Sequence, residues 1–148
     1  MPRRRSLSVC NLHMGGWNGD ALEWEALLSP RFMPRLSKLG VEIVATSQEA
    51  SVLVVTGLLT QGNLDAVLRE IARMPQPSMV VAAGDAAING GSWSRLGLPG
   101  LAPYLLSHYV DVQITVPGNP PTPQALLAAL AAIASQRMDH RRRAATSE

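Results

Sequence analysis

The run Ser51-Val52-Leu53-Val54-Val55-Thr56-Gly57 would put apolar side chains on both faces of any strand it formed, and Met79 to Ala83 would do the same. A strand apolar on both faces needs cover on both, so the two runs read as central strands of a mainly parallel sheet with helices above and below. Between them, Leu64, Val67, Leu68 and Ile71 recur at helical spacing in a segment, 64–74, that Gly62 and Asn63 open and that Pro75 and Pro77 close. The apolar residues, 47% of the chain, are mostly Leu, Ala and Val, with few aromatics, which suits helices packed on such a sheet. The expected class is therefore α/β: one domain with a mostly parallel central sheet flanked by helices. A chain of 148 residues is long enough to bury its own core without disulfides or metal. The expected domain is 6–135, with a basic tail at 1–5 and a frayed basic and polar tail at 136–148.

Other segments fit the same scheme. Residues 6–12 alternate polar and apolar and read as a first strand, with Cys10 on the polar side. A glycine-rich loop, His13 to Asp20, follows, and Asp20 reads as N-cap of a helix over 21–28, with Glu23 at capping-box spacing. Pro30 and Pro34 interrupt the pattern before a helical turn at 36–40 and a β-branched strand at 41–45. Gly84 to Gly91 reads as a glycine-bounded loop, 92–109 as an irregular excursion, and 110–116 as the last strand. Val116 to Pro123 is then a rigid loop, since prolines at 120, 121 and 123 fix φ and remove three backbone donors. That loop presents Asn119 ahead of an Ala- and Leu-rich helix at 124–134. In an open parallel sheet, loops that follow strand carboxyl ends gather on one edge, so the loops around Trp17 to Asp20, Asp85 to Gly91 and Pro117 to Pro121 are expected to converge.

The formal net charge of +2 hides an uneven distribution, because Arg3 to Arg5 and Arg141 to Arg143 hold six of the thirteen basic residues at the two ends. Nucleic-acid binders spread basic residues over a folded face with aromatics between them, so nucleic acid is not an expected partner. The terminal arginines fit solvated tails, or contacts to acidic partner subunits or anionic lipid headgroups. No apolar run reaches the roughly 20 residues a bilayer span requires, and the start lacks a signal-peptide core, so a cytoplasmic location is expected.

The motifs resemble a family, the small cluster-bearing subunit shared by NADH-quinone oxidoreductase and membrane-bound nickel-iron hydrogenases. Its Cys-Asn-Gly-Cys with Glu three residues on is similar to Trp17-Asn18-Gly19-Asp20 followed by Glu23. Ala50 to Gly57 resembles its Ala-Asp-Val-Leu-Leu-Val-Thr-Gly, and Met74-Pro75-Gln76-Pro77 its Met-Pro-Glu-Pro. Gly84 to Gly91 resembles its Gly-x-Cys-Ala-x-x-Gly-Gly, and Pro117 to Pro121 its Pro-Gly-Cys-Pro-Pro. The five occur in order over most of the chain. The resemblance implies a flavodoxin-like small-subunit fold and a 4Fe-4S cluster site whose four ligand positions fall at Trp17, Asp20, Ala86 and Asn119. None of these is a cysteine, and Cys10, the single cysteine, lies seven residues before the first. Soft thiolates hold iron-sulfur clusters, and an indole, a methyl, a neutral amide and one carboxylate do not replace them. The expectation is a protein without cluster or metal.

A core does not tolerate the void a cluster would leave. Trp17 is the expected filler, over Ala86, with Asn119 and Asp20 satisfying each other, the indole N–H or nearby backbone donors. A cation or proton-handling site built from Asp20, Glu23, Asp85 and Asn119 is the alternative. His13 and His108 have no ligand spacing and read as isolated histidines. For function, the resemblance implies a non-redox scaffold or coupling subunit between a homologue of the large subunit of these complexes (the hydrogenase large subunit or its counterpart in NADH-quinone oxidoreductase) and membrane-arm subunits. It would sit peripherally on the inner face of the cell membrane, with Trp17, Glu23 and Asn119 as subunit contacts. The other reading is a stand-alone α/β domain binding a phosphate, nucleotide or cation. The glycine pairs match neither the dinucleotide fingerprint nor the phosphate-binding Walker loop, and no lysine lies beside them. An enzyme acting alone is disfavoured, since no nucleophile, base and orienting group occur together.

Overall fold

The computed structural model describes residues 6–16, 18–76, 78–96 and 104–147. Five parallel strands, β1 (Leu7–His13), β2 (Val41–Ile43), β3 (Val52–Thr56), β4 (Met79–Ala83) and β5 (Ile114–Val116), form one sheet in the order β2-β1-β3-β4-β5. This is the flavodoxin-like order, whose switch point lies between β1 and β3. The expected α/β class holds, and the period-two alternation sorts each strand's residues to opposite sides. Val9, Val52, Val54, Val81 and Ala83 join one core, against Trp24 and Leu27 of α1 (Asn18–Leu27), Leu36 of α2 (Met33–Lys38), and Leu126, Leu130 and Ile133 of α5 (Pro123–Thr146). Cys10, Leu53, Val55, Val80 and Ala82 join the other, against Val67 and Ile71 of α3 (Leu64–Ala72) and Ala87 of α4 (Asp85–Asn89).

Five local expectations are corrected by tertiary contacts. Cys10 does not face water, because α3 covers that side of β1 and leaves the residue 6% exposed. Asp20 is not an N-cap and Glu23 does not complete a capping box: the helix starts at Asn18, which places Asp20 in its first turn with a buried side chain. The loop after Gly84 winds into the short helix α4. The last strand is three residues rather than 110–116. Ahead of it the side-chain oxygen of Gln113 accepts the Val80 N–H at 2.7 Å, while the Gln113 N–H donates to the Val80 carbonyl at 3.0 Å. Finally, the C-terminal segment is not frayed; α5 continues through Thr146. Thr122 caps its start, accepting the Ala125 N–H at 3.1 Å, and Pro123 occupies its first turn.

Candidate functional site

The strand carboxyl ends bring four loops together, those after β1, β3, β4 and β5, and backbone bonds clasp them in two pairs. Where β4 meets β5, the Gly84 N–H donates to the Val116 carbonyl at 2.7 Å and the Asp85 N–H to the Gly118 carbonyl at 2.8 Å. Asp85 Oδ1 accepts the Gly118 N–H in return, also at 2.8 Å. Between β1 and β3, the Met14 N–H donates to the Thr56 carbonyl at 2.7 Å and the Leu58 N–H to the Gly15 carbonyl at 2.9 Å. Asn63, expected only to open α3, fastens this second pair of loops: Nδ2 donates to the carbonyls of Met14 and Leu58, each at 2.9 Å, and Oδ1 accepts the Thr60 N–H at 2.8 Å.

Asp20 lies where these clasps meet. It is 1% exposed, and its Oδ2 accepts the Gly57 N–H at 3.4 Å, while Oδ1 has no partner. Its carboxyl rests on the Cα of Gly84, where a Cβ would stand 2.8 Å from Oδ2. Burial pushes this carboxyl above its ordinary range, against the Gly57 N–H and His13, which lower it, and with Asp85, which raises it. His13 ends β1 beside it: Nδ1 shares a hydrogen bond with Thr56 Oγ1 at 3.0 Å, and Nε2 is buried without a partner. Sequence spacing passed over His13 as isolated. The usable signal was its position at the end of a buried parallel strand.

Ala86 and Asn119 line one open cavity of about 260 Å³, together with Gly91, Ser92, Trp93 and Leu96. Of the four positions that the resemblance assigns to cluster ligands, 20, 86 and 119 therefore fall on the clasped loops, while Trp17 lies outside the described residues. The mutual Asp20 and Asn119 contact is not formed, since Asn119 is exposed on the rim and Asp20 is buried against Gly84. Glu23 is half-buried on α1, and His108 is exposed on a 3-10 turn. Among the described residues no three His, Cys, Asp or Glu side chains gather to hold a metal.

Residues 9–133, which carry all of these loops, match the family model described as NADH ubiquinone oxidoreductase, 20 kDa subunit. The chain belongs to that family. A member from Pyrococcus furiosus, the probable membrane-bound hydrogenase subunit mbhJ, is 35% identical over 123 residues, covering 83% of this chain and 71% of the relative. A NADH-quinone oxidoreductase subunit of Heliobacterium modesticaldum is 32% identical over 110 residues, 72% of this chain and 59% of its own length. The same fold occurs in the structure of the membrane-bound sulfane sulfur reductase, an archaeal respiratory membrane complex, with a TM-score of 0.70 at 20% identity over 90% of this chain and 71% of that one.

The donor set of this 20 kDa-subunit homologue does not fit the 4Fe-4S cluster that the family resemblance implies. Ala86 offers a methyl, Asn119 a neutral amide, and Asp20 a single hard carboxylate already turned onto Gly57. Cys10 packs with Leu53 and Val67 in the α3-side core and lines a different cavity, with Ser47, Glu70 and Arg73.

Proposed function

We propose that this chain is a non-redox small subunit of a membrane-bound complex related to energy-converting hydrogenase and NADH-quinone oxidoreductase. It acts as a scaffold or coupling element between a large-subunit homologue and the membrane arm. The observation that carries this reading is the pairing of a retained loop frame with a ligand set of Asp20, Ala86 and Asn119, which has lost thiolate chemistry. With no soft anion at these positions, electrons have no cluster to enter or leave, and what remains is shape and contact. No helix among the described residues is long and apolar enough to cross a membrane; in this reading the chain is held at the inner face by its partner subunits. The contact surface is the loop edge, where Glu23 on α1 and Asn119 on the cavity rim are accessible, with Trp17 directly ahead of α1 in sequence.

Two measurements test this. The purified chain should contain no iron or acid-labile sulfide and show no thiolate-to-iron absorption; stoichiometric iron and sulfide would refute the loss. Affinity purification from native membranes should recover a large-subunit homologue, and recovery of the chain alone would overturn the scaffold role.

A further inference from the structure

The sequence places its arginine runs at opposite ends of the chain, but the fold brings the start of β1 and the end of α5 to one edge of the sheet. All five strands are parallel, so β1 begins on the same edge as β3, and Ser51, just ahead of β3, marks it. Helix α5 starts on the loop edge at Thr122 and runs back across the sheet, and Arg137 Nη1 reaches Ser51 Oγ at 3.3 Å. Beyond that point α5 leaves the body: residues 138–147 are all exposed. At 1.5 Å per residue, the helix from 138 to 146 projects about 13 Å past the sheet. It carries His140, Arg141, Arg142 and Arg143, none of these arginines with an ion-pair partner among the described residues. Arg3 to Arg5, outside the described residues, stand in the sequence just ahead of Ser6 and so of β1. Against them on this helix is one acid, Asp139; Glu42 on β2 accepts from Ser6 Oγ at 2.7 Å.

We infer that the arginine-bearing end of α5, on the edge opposite the clasped loops, is a direct docking surface for the anionic headgroups of a lipid bilayer. Guanidinium forks match phosphate oxygens in pairs, and a cluster of such cations attracts an anionic leaflet within a Debye length. The projecting helix is polar nearly all round, so it gains nothing by inserting and would lie in the headgroup layer. The inference goes beyond the assembly reading, in which attachment runs through partners, because the lone chain should bind lipid.

The test is co-sedimentation of the full chain with vesicles of phosphatidylcholine, alone or with phosphatidylglycerol added. Binding should require the anionic lipid and fade as salt rises. The triple variant Arg141→Ala, Arg142→Ala, Arg143→Ala should bind about a hundredfold more weakly, and the matching Arg→Lys variant should retain much of the affinity. Alanine favours helix at these exposed positions, so folding is not at risk. Equal binding to neutral vesicles, no loss in the alanine variant, or tighter binding to a DNA fragment than to anionic vesicles would each overturn the inference. None of these outcomes depends on whether the chain holds iron or a large-subunit partner.

Discussion

Asp20 lies directly on Gly84: the carboxyl of one occupies the space where the other would carry a side chain, with Oδ1 and Oδ2 at 2.9 and 2.8 Å from an ideal Cβ. The pair joins α1 to the turn between β4 and α4, linking the loop after β1 to the loop after β4.

Gly84 also has φ at +92°, a conformation that side chains rarely adopt. Gly84→Ala should therefore lower stability by about 3 kcal/mol, combining backbone strain with the clash. Urea unfolding checks this. The double variant with Asp20→Ala should recover the steric share while keeping the strain, so the two losses should not add.

Asp20 makes stability depend on pH in a defined direction. Because burial raises its folded pKa above the unfolded value, its contribution is fully present below the ordinary carboxylate range and is lost as pH rises through the folded pKa. Asp20→Asn removes the charge yet keeps an oxygen for the Gly57 N–H. The variant should be more stable than the parent by about 1 kcal/mol at neutral pH, with the gap closing in acid. Thermal unfolding of both proteins across pH would show it, and a gap that widens in acid would contradict the assignment.

Asn63 is the fastener between two loops that are distant in sequence from each other. Asn63→Ala forfeits three hydrogen bonds to the backbone of Met14, Leu58 and Thr60. The expected loss is about 2 to 3 kcal/mol. Amide exchange should report faster local opening around residues 14–16 and 58–60 than in β4.

Cys10 should behave as an inert core residue. Burial raises its thiol pKa, and the carboxylates of Glu70 and Glu49 add to the effect. Alkylation of the native protein should run at least about tenfold slower than in denaturant. Rapid native labelling would mean that the face of β1 covered by α3 is open.

Legibility in the sequence tracked how local the cause was. Residues 52–56 and 79–83 were readable as central strands because burial on both faces leaves its record within five residues. The convergence of the Asp20, Ala86 and Asn119 loops was readable too, since parallel strands deliver their following loops to one edge. Asp20 misled as a cap because its true partners, Gly57 and Gly84, lie 37 and 64 positions away. Cys10 misled because alternation shows which residues share a face of β1 but not that a helix also covers the second face.

By itself the sequence determined the α/β class, the frame of loops, and the absence of thiolates from positions 20, 86 and 119, because these are matters of residue type and short-range period. Only the tertiary structure decided that Asp20 is buried on a glycine, that Asn63 and Asp85 clasp the loops, and that the start of β1 and the end of α5 belong to one edge of the sheet. Those are relations across tens of residues, set by strand order and helix direction, and a linear pattern carries no term for them.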